Sequence, residues 1–217
     1  MTVAVVVFPG SNCEHDVVRA LRSLGTDAEL VWHRETDLVG FDGVVLPGGF
    51  AHGDALRTGA IAGLSPIMGP VRLMADEGRP VLGVCNGFQI LCEAGMLPGA
   101  LIANRDLSFI CRFVEVEVVD TGTVLTAAAE EGTRLRIPLN SYEGNWVDAS
   151  GTGRVAVRYV DDPNGSQDRA AAVANDAGNV VGIMPHPERA SDALLGSEDG
   201  LVLLEGFVRS LGAAVPA

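Results

Sequence analysis

The 217 residues carry 47% hydrophobic and 20% charged side chains, a balance that supports a sizeable folded core and excludes a disordered chain. A formal net charge of −13 argues against nucleic acid or an anionic membrane as the main partner. No apolar run reaches membrane-spanning length and Val3 to Phe8 lacks a basic flank, so a soluble, cytoplasmic chain is expected.

Thr2 to Phe8 is a β-branched apolar run and reads as a buried first strand, ended by Pro9-Gly10-Ser11-Asn12. Ser11 and Glu14 have the spacing of a capping box. Val17, Ala20, Leu21 and Leu24 then form a helical stripe that Gly25 stops. Ala28 to Trp32 and Gly43 to Leu46 read as the next strands, the latter followed by Pro47-Gly48-Gly49-Phe50. Ser65 and Pro66 fit an N-cap and first helical position. Ile67, Val71, Met74 and Ala75 make that helix's stripe, closed by Gly78.

The segment Pro80 to Ala94 comes next. An apolar run ends in Gly83-Val84-Cys85-Asn86-Gly87, and Ile90, Leu91 and Ala94 begin a helical stripe that Gly95 stops. This is strand, sharp turn and helix with a thiol at the bend, the pattern of a nucleophile elbow with cysteine in place of serine. Glycines two before and two after the thiol remove the Cβ atoms that would crowd the turn. A thiol there sits at a helix amino end, whose dipole favours the thiolate.

Alternating strands and helices with glycines at strand ends imply an α/β fold, a doubly wound, mostly parallel sheet with its site at the carboxyl edge. From Phe109 the texture changes. Phe109 to Val119, Arg134 to Leu139 and Arg154 to Val160 look like strands separated by turn-rich stretches, a late, partly antiparallel β region without a linker. One domain over residues 1–217 is expected. Asn179 to Met184 is a further strand, ending in Pro185-His186-Pro187-Glu188, and a last helix spans about Asp199 to Leu211 with a frayed tail.

A thiolate nucleophile needs a base, and the base an orienting acceptor. His186 follows a strand and should reach the sheet edge. Pro187 biases it toward extended backbone, in which Glu188 projects to the same side and can fix the imidazole. Gly48-Gly49 and the N–H of Asn86 are candidate oxyanion donors. Cys13, Cys85, Cys92 and Cys111 show no paired spacing, so reduced thiols are expected. Cys13 and His15 lack a second ligand pair, so no metal is expected.

These residues carry a resemblance. Pro47-Gly48-Gly49-Phe50, Gly83 to Gln89 and Met184-Pro185-His186-Pro187-Glu188 resemble the class I, triad-type glutamine amidotransferases, flavodoxin-like proteins with helices on both sheet faces. Wider matches (Phe8 to Cys13, Gly53-Asp54, Glu93-Ala94-Gly95, Cys111 to Val114, Asn164-Gly165-Ser166 and Asp199-Gly200-Leu201) resemble the glutaminase subunits of bacterial phosphoribosylformylglycinamidine synthases. The resemblance implies that Cys85 attacks glutamine, His186 shuttles protons, Glu188 orients it, Gly49 and Asn86 form the oxyanion hole and Gln89 holds the substrate. It also implies two partners, a large ATP-dependent synthetase subunit plus a small bridging subunit. No cofactor is expected on this chain, which has no G-x-x-x-x-G-K-[ST] loop; ATP and Mg are expected on the partner. Ala51, His52, Ala55, Ser141 and Tyr142 depart from the family pattern, and His52 reads as a solvated loop residue. A stand-alone cysteine hydrolase, a silent scaffold and a glutaminase for another acceptor are the competing readings.

Overall fold

In the computed structural model, which describes residues 1–212, the chain runs β1 (Thr2–Val7), α1 (Glu14–Ser23), β2 (Asp27–Trp32), β3 (Gly43–Leu46), α2 (Met68–Asp76), β4 (Val81–Val84), α3 (Asn86–Glu93), β5 (Ala100–Ile102), β6 (Ile110–Val118), β7 (Arg134–Ser141), β8 (Asn145–Val147), β9 (Arg154–Tyr159), β10 (Ala170–Ala174), β11 (Val180–Ile183) and α4 (Gly200–Ser210). Nine strands form one sheet in the order β2-β1-β3-β4-β11-β10-β9-β6-β7, and β5 and β8 pair separately. Strands from β2 to β11 are parallel neighbours. From β11 outward every pairing is antiparallel. The late β region therefore extends the same sheet. No helix of the described residues is long and apolar enough to cross a membrane. The frayed tail expected after α4 lies outside the described residues.

Strand register shows that helices cover both sheet faces. Leu46 pairs with Gly83 and Gly83 with Gly182, so these three share a face. A Cβ on Gly83 would meet Gly87 and Leu91 of α3, and one on Gly182 would meet Phe88. Gly43, three residues before Leu46, points to the other face, where a Cβ would meet Phe207 of α4 and Leu211. Strands covered on both faces need no polar alternation. β1, β3, β4, β10 and β11 are accordingly near-continuous buried apolar runs.

The carboxyl ends of β3, β4 and β11 place Gly49, Cys85 and His186 on one edge. Their spacing depends on α3 lying close to β3. A Cβ on Gly87 would stand 1.9 Å from the backbone oxygen of Leu46, which a central strand cannot yield. Gly87→Ala is expected to cost about 3 kcal/mol. The urea midpoint measures it, and an unchanged midpoint would show that the elbow relaxes freely.

Two helix starts differ from expectation. α1 begins at Glu14 after Cys13, with no side-chain cap; the Ser11 hydroxyl instead accepts the Phe8 N–H at 3.0 Å. α2 begins at Met68, because the Ser65 hydroxyl is committed to His33 Nδ1 at 3.1 Å. In both cases a nearer polar partner takes the capping oxygen.

Candidate active site

Cys85 sits at the bend between β4 and α3 with φ 50 and ψ −103. A non-glycine residue held there carries strain of roughly 1–3 kcal/mol, tolerated where the surroundings over-determine it. They do so here: the Cys85 N–H donates to Ile183 O at 2.7 Å, and Gly83 and Gly87 remove the side chains that would collide. Cys85 as a residue is 7% exposed, and its sulfur lies 3.6 Å from Asn140 O.

His186 follows β11, and its N–H donates to Pro138 O of β7 at 2.8 Å. Its Nδ1 is 2.7 Å from Glu188 Oε1, with the two residues 2% and 0% exposed. The contact does not come from extended chain: Pro187–Arg189 is a 3-10 turn, and the turn brings Glu188 back under the ring. With Nδ1 held by the carboxylate, Nε2 is buried without a hydrogen-bond partner among the described residues. Burial opposes the imidazolium, but the charges of Glu188 and Cys85 outweigh it and raise His186 well above its ordinary value. Cys85 and His186 line one cavity of about 520 Å³, together with Gly49, Asp54, Gln89, Ser141, Glu143 and Arg189 among others.

The loop after β3 meets the loop after β1. Gly48 O accepts the N–H groups of Asn12 and Cys13 at 3.3 and 3.2 Å. A planar trans peptide then aims the Gly49 N–H the opposite way, where it has no acceptor among the described residues. The Asn86 N–H belongs to the first turn of α3 and has no intrahelical acceptor. The Asn86 side chain ties the elbow to the loop: Oδ1 accepts the Ala51 N–H and Nδ2 donates to Gln89 Oε1, both at 3.0 Å. Gln89 Nε2 donates to Glu143 O at 2.6 Å. Gln89 thus spends both ends of its amide on the cavity wall, with one lone pair and one N–H left over.

Cys13 is the residue whose place the sequence concealed. His15 is exposed, whereas Cys13 is buried with its sulfur 4.0 Å from His186 Nδ1 and 3.1 Å from the Arg189 guanidinium. Gly48 leaves room for both: a Cβ there would meet His186 Cε1 at 2.8 Å and Cys13 Sγ at 3.0 Å. Cys13, His186 and Glu188 hold their donor atoms within 4.8 Å of one another, but the Arg189 guanidinium against the sulfur opposes a metal cation. Burial pushes the Cys13 thiol up, against the pull of His186, which keeps it protonated. His52 is not the solvated residue expected; its ring packs on His33 at 5.3 Å and its Nε2 is buried. All four cysteines are free. The only sequence signal for Cys13, Asp54 and Glu143 is their presence in family-like motifs that assign them no role.

A parallel sheet edge with a strained cysteine elbow, a buried His–Glu pair and two free N–H groups defines a class of cysteine-dependent amide hydrolases. Residues 1–198 match the CobB/CobQ-like glutamine amidotransferase domain, and the chain belongs to that family. Phosphoribosylformylglycinamidine synthase subunit PurQ of Rubrobacter xylanophilus is 52% identical over 215 residues, covering 96% of this chain and 98% of that one. A chain in the structure of PurLQS from Thermotoga maritima is 41% identical, with a TM-score of 0.93 and coverage of 97% and 98%. A protein from Thermoplasma acidophilum assigned to a GMP synthase, 19% identical, shares the fold at a TM-score of 0.67, covering 97% of this chain and 94% of that one.

Proposed function

We infer that the chain is the glutaminase subunit of a phosphoribosylformylglycinamidine synthase. The observation that carries the reading is the 52% identity to a PurQ protein along nearly the whole of both chains. Glutamine is hydrolysed here, and its ammonia passes to an ATP-dependent synthetase subunit that converts formylglycinamide ribonucleotide to the amidine in purine biosynthesis. A small bridging subunit completes the complex. ATP and magnesium belong to the synthetase. Free thiols suit a cytoplasmic place.

The geometry supports a definite sequence of steps. The thiol proton of Cys85 resides on His186 Nε2, the ring nitrogen left open, and Cys85 Sγ attacks the side-chain carboxamide carbon as the thiolate. Gly49 and Asn86 N–H groups donate to the oxyanion that develops. Collapse of the adduct returns the proton to the departing ammonia and leaves a glutamyl thioester. Water then attacks with the same nitrogen as base, releasing glutamate and the thiol. Glu188 keeps Nδ1–H in place so that Nε2 faces the reaction. Gln89 holds the wall against which the substrate lies.

Amidine formation by the reconstituted complex, with glutamine or ammonium salt as nitrogen source, tests this reading. Glutamine-dependent formation that requires this chain is expected. Formation only from ammonium salt would overturn it. Partner gating is a further expected result: glutamine hydrolysis by the chain alone should be far slower than in the complex, and equal rates would sink gating.

A further inference from the structure

We propose that Cys13 and Arg189 are a positioning pair that holds the oxyanion loop and His186 in one register, with the Cys13 thiol a packing group and not a second nucleophile; this rests on the glutaminase reading above. Cys13 meets both halves of the machinery with different atoms. Its N–H donates to Gly48 O at 3.2 Å, which fixes the peptide whose other side aims the Gly49 N–H at the oxyanion. Its sulfur lies 4.0 Å from His186 Nδ1. At that distance it touches the ring without displacing Glu188, whose Oε1 is 2.7 Å from the same nitrogen. Gly48 closes the remaining side, since a Cβ there would stand 2.8 Å from His186 Cε1 and 3.0 Å from the sulfur. Backbone and thiol together leave the imidazole no room to turn on that side.

Arg189 keeps the thiol in place. Its Nη2 donates to the sulfur at 3.1 Å and its Nε to Asp16 Oδ2 of α1 at 3.3 Å. The thiol itself donates to Asn12 Oδ1 at 3.2 Å. A donor, an acceptor and a ring thus hold the sulfur, and Cys13 is 1% exposed. The same guanidinium serves Glu188. That carboxylate is fully buried and its Oε2 has no hydrogen-bond partner among the described residues, so its charge depends on nearby cations. Burial opposes the Arg189 charge, and the neighbouring Cys13, Glu188 and Asp16 sustain it. Loss of either member of the pair loosens the same ring, so the two act as one unit.

The test is steady-state kinetics of the full complex, with glutamine and with ammonium salt as nitrogen source. Cys13→Ala empties the space beside Nδ1. It is expected to lower kcat for glutamine about tenfold to a hundredfold, with KM changed by less than about threefold. Its alkaline pH limb should move to lower pH, because burial gains weight once the ring turns from Glu188. Cys13→Ser keeps a donor for Asn12 and an acceptor for Arg189, and should recover most of the rate. Arg189→Met should lose as much as Cys13→Ala, and the double variant should fall no more than about threefold below the worse single. If Arg189→Met does not fold, Cys13→Ala and Cys13→Ser carry the test. Ammonium-dependent formation should persist in every variant. An unchanged kcat and pH limb in Cys13→Ala, a Cys13→Ser as inactive as Cys13→Ala, or losses that multiply in the double variant would overturn the pair. Equal loss with ammonium salt would also overturn it, placing these residues in assembly. Wild-type complex without glutamine-dependent formation would overturn the glutaminase reading itself.

Discussion

Cys85→Ser will lower glutamine-dependent amidine formation by about 10⁴-fold or more, and ammonium-dependent formation by the complex will persist. The split follows from the division of labour between chains. In the proposed mechanism Cys85 forms the only covalent bond to glutamine, so its loss removes the thioester route entirely. Serine keeps the shape of the elbow, which matters because φ 50 leaves little tolerance for a changed side chain. Its hydroxyl is a far weaker nucleophile than the thiol at neutral pH, and His186 alone does not compensate. Rates with the two nitrogen sources, measured on the same preparation, give the result. Parallel loss of both would place Cys85 in the architecture of the complex and not in the chemistry.

Glu188→Gln is expected to lower kcat/KM for glutamine by about 10³-fold. The carboxylate is fully buried and holds Nδ1 at 2.7 Å, so the neutral amide removes a charge and the tautomer lock together. Its charge is also a main cause of the raised His186 value. Removing it takes away one of the charges that oppose burial and moves the imidazole back down. The alkaline limb of the pH profile, where the imidazolium that protonates the leaving ammonia is lost, should then shift to lower pH. Stability follows the same sign. A raised histidine stabilises the fold fully below its ordinary value of 6.5 and loses that contribution as pH rises through its folded value. The variant should show a flatter dependence in that window. An unshifted limb would mean that Glu188 does not act through His186.

The residues of the candidate site were more legible in the sequence than the scaffold that serves it. Cys85 declared itself because a strained bend needs Gly83 and Gly87 on either side, which is a local requirement. His186 and Glu188 were found as a pair, but for a different geometric reason: a 3-10 turn, and not strand alternation, brings them together. β10, Ala170–Ala174, was unreadable because a strand buried on both faces shows no alternation and alanine has little strand preference. Ser11 and Ser65 carried capping spacings that tertiary partners overrode. Cys13, Asp54 and Ser141 lie far from Cys85 in sequence. Only the close approach of the loops after β1 and β3 and the end of β7 brings them to one cavity.

Two thiols line that cavity, and only one is placed as the nucleophile. The most direct measurement is mass spectrometry of the complex after reaction with an electrophilic glutamine analogue. A single adduct on the peptide that carries Cys85, blocked by glutamine and lost in Cys85→Ser, is the expected result. An adduct on Cys13, or no adduct in a complex that still hydrolyses glutamine, would contradict the account.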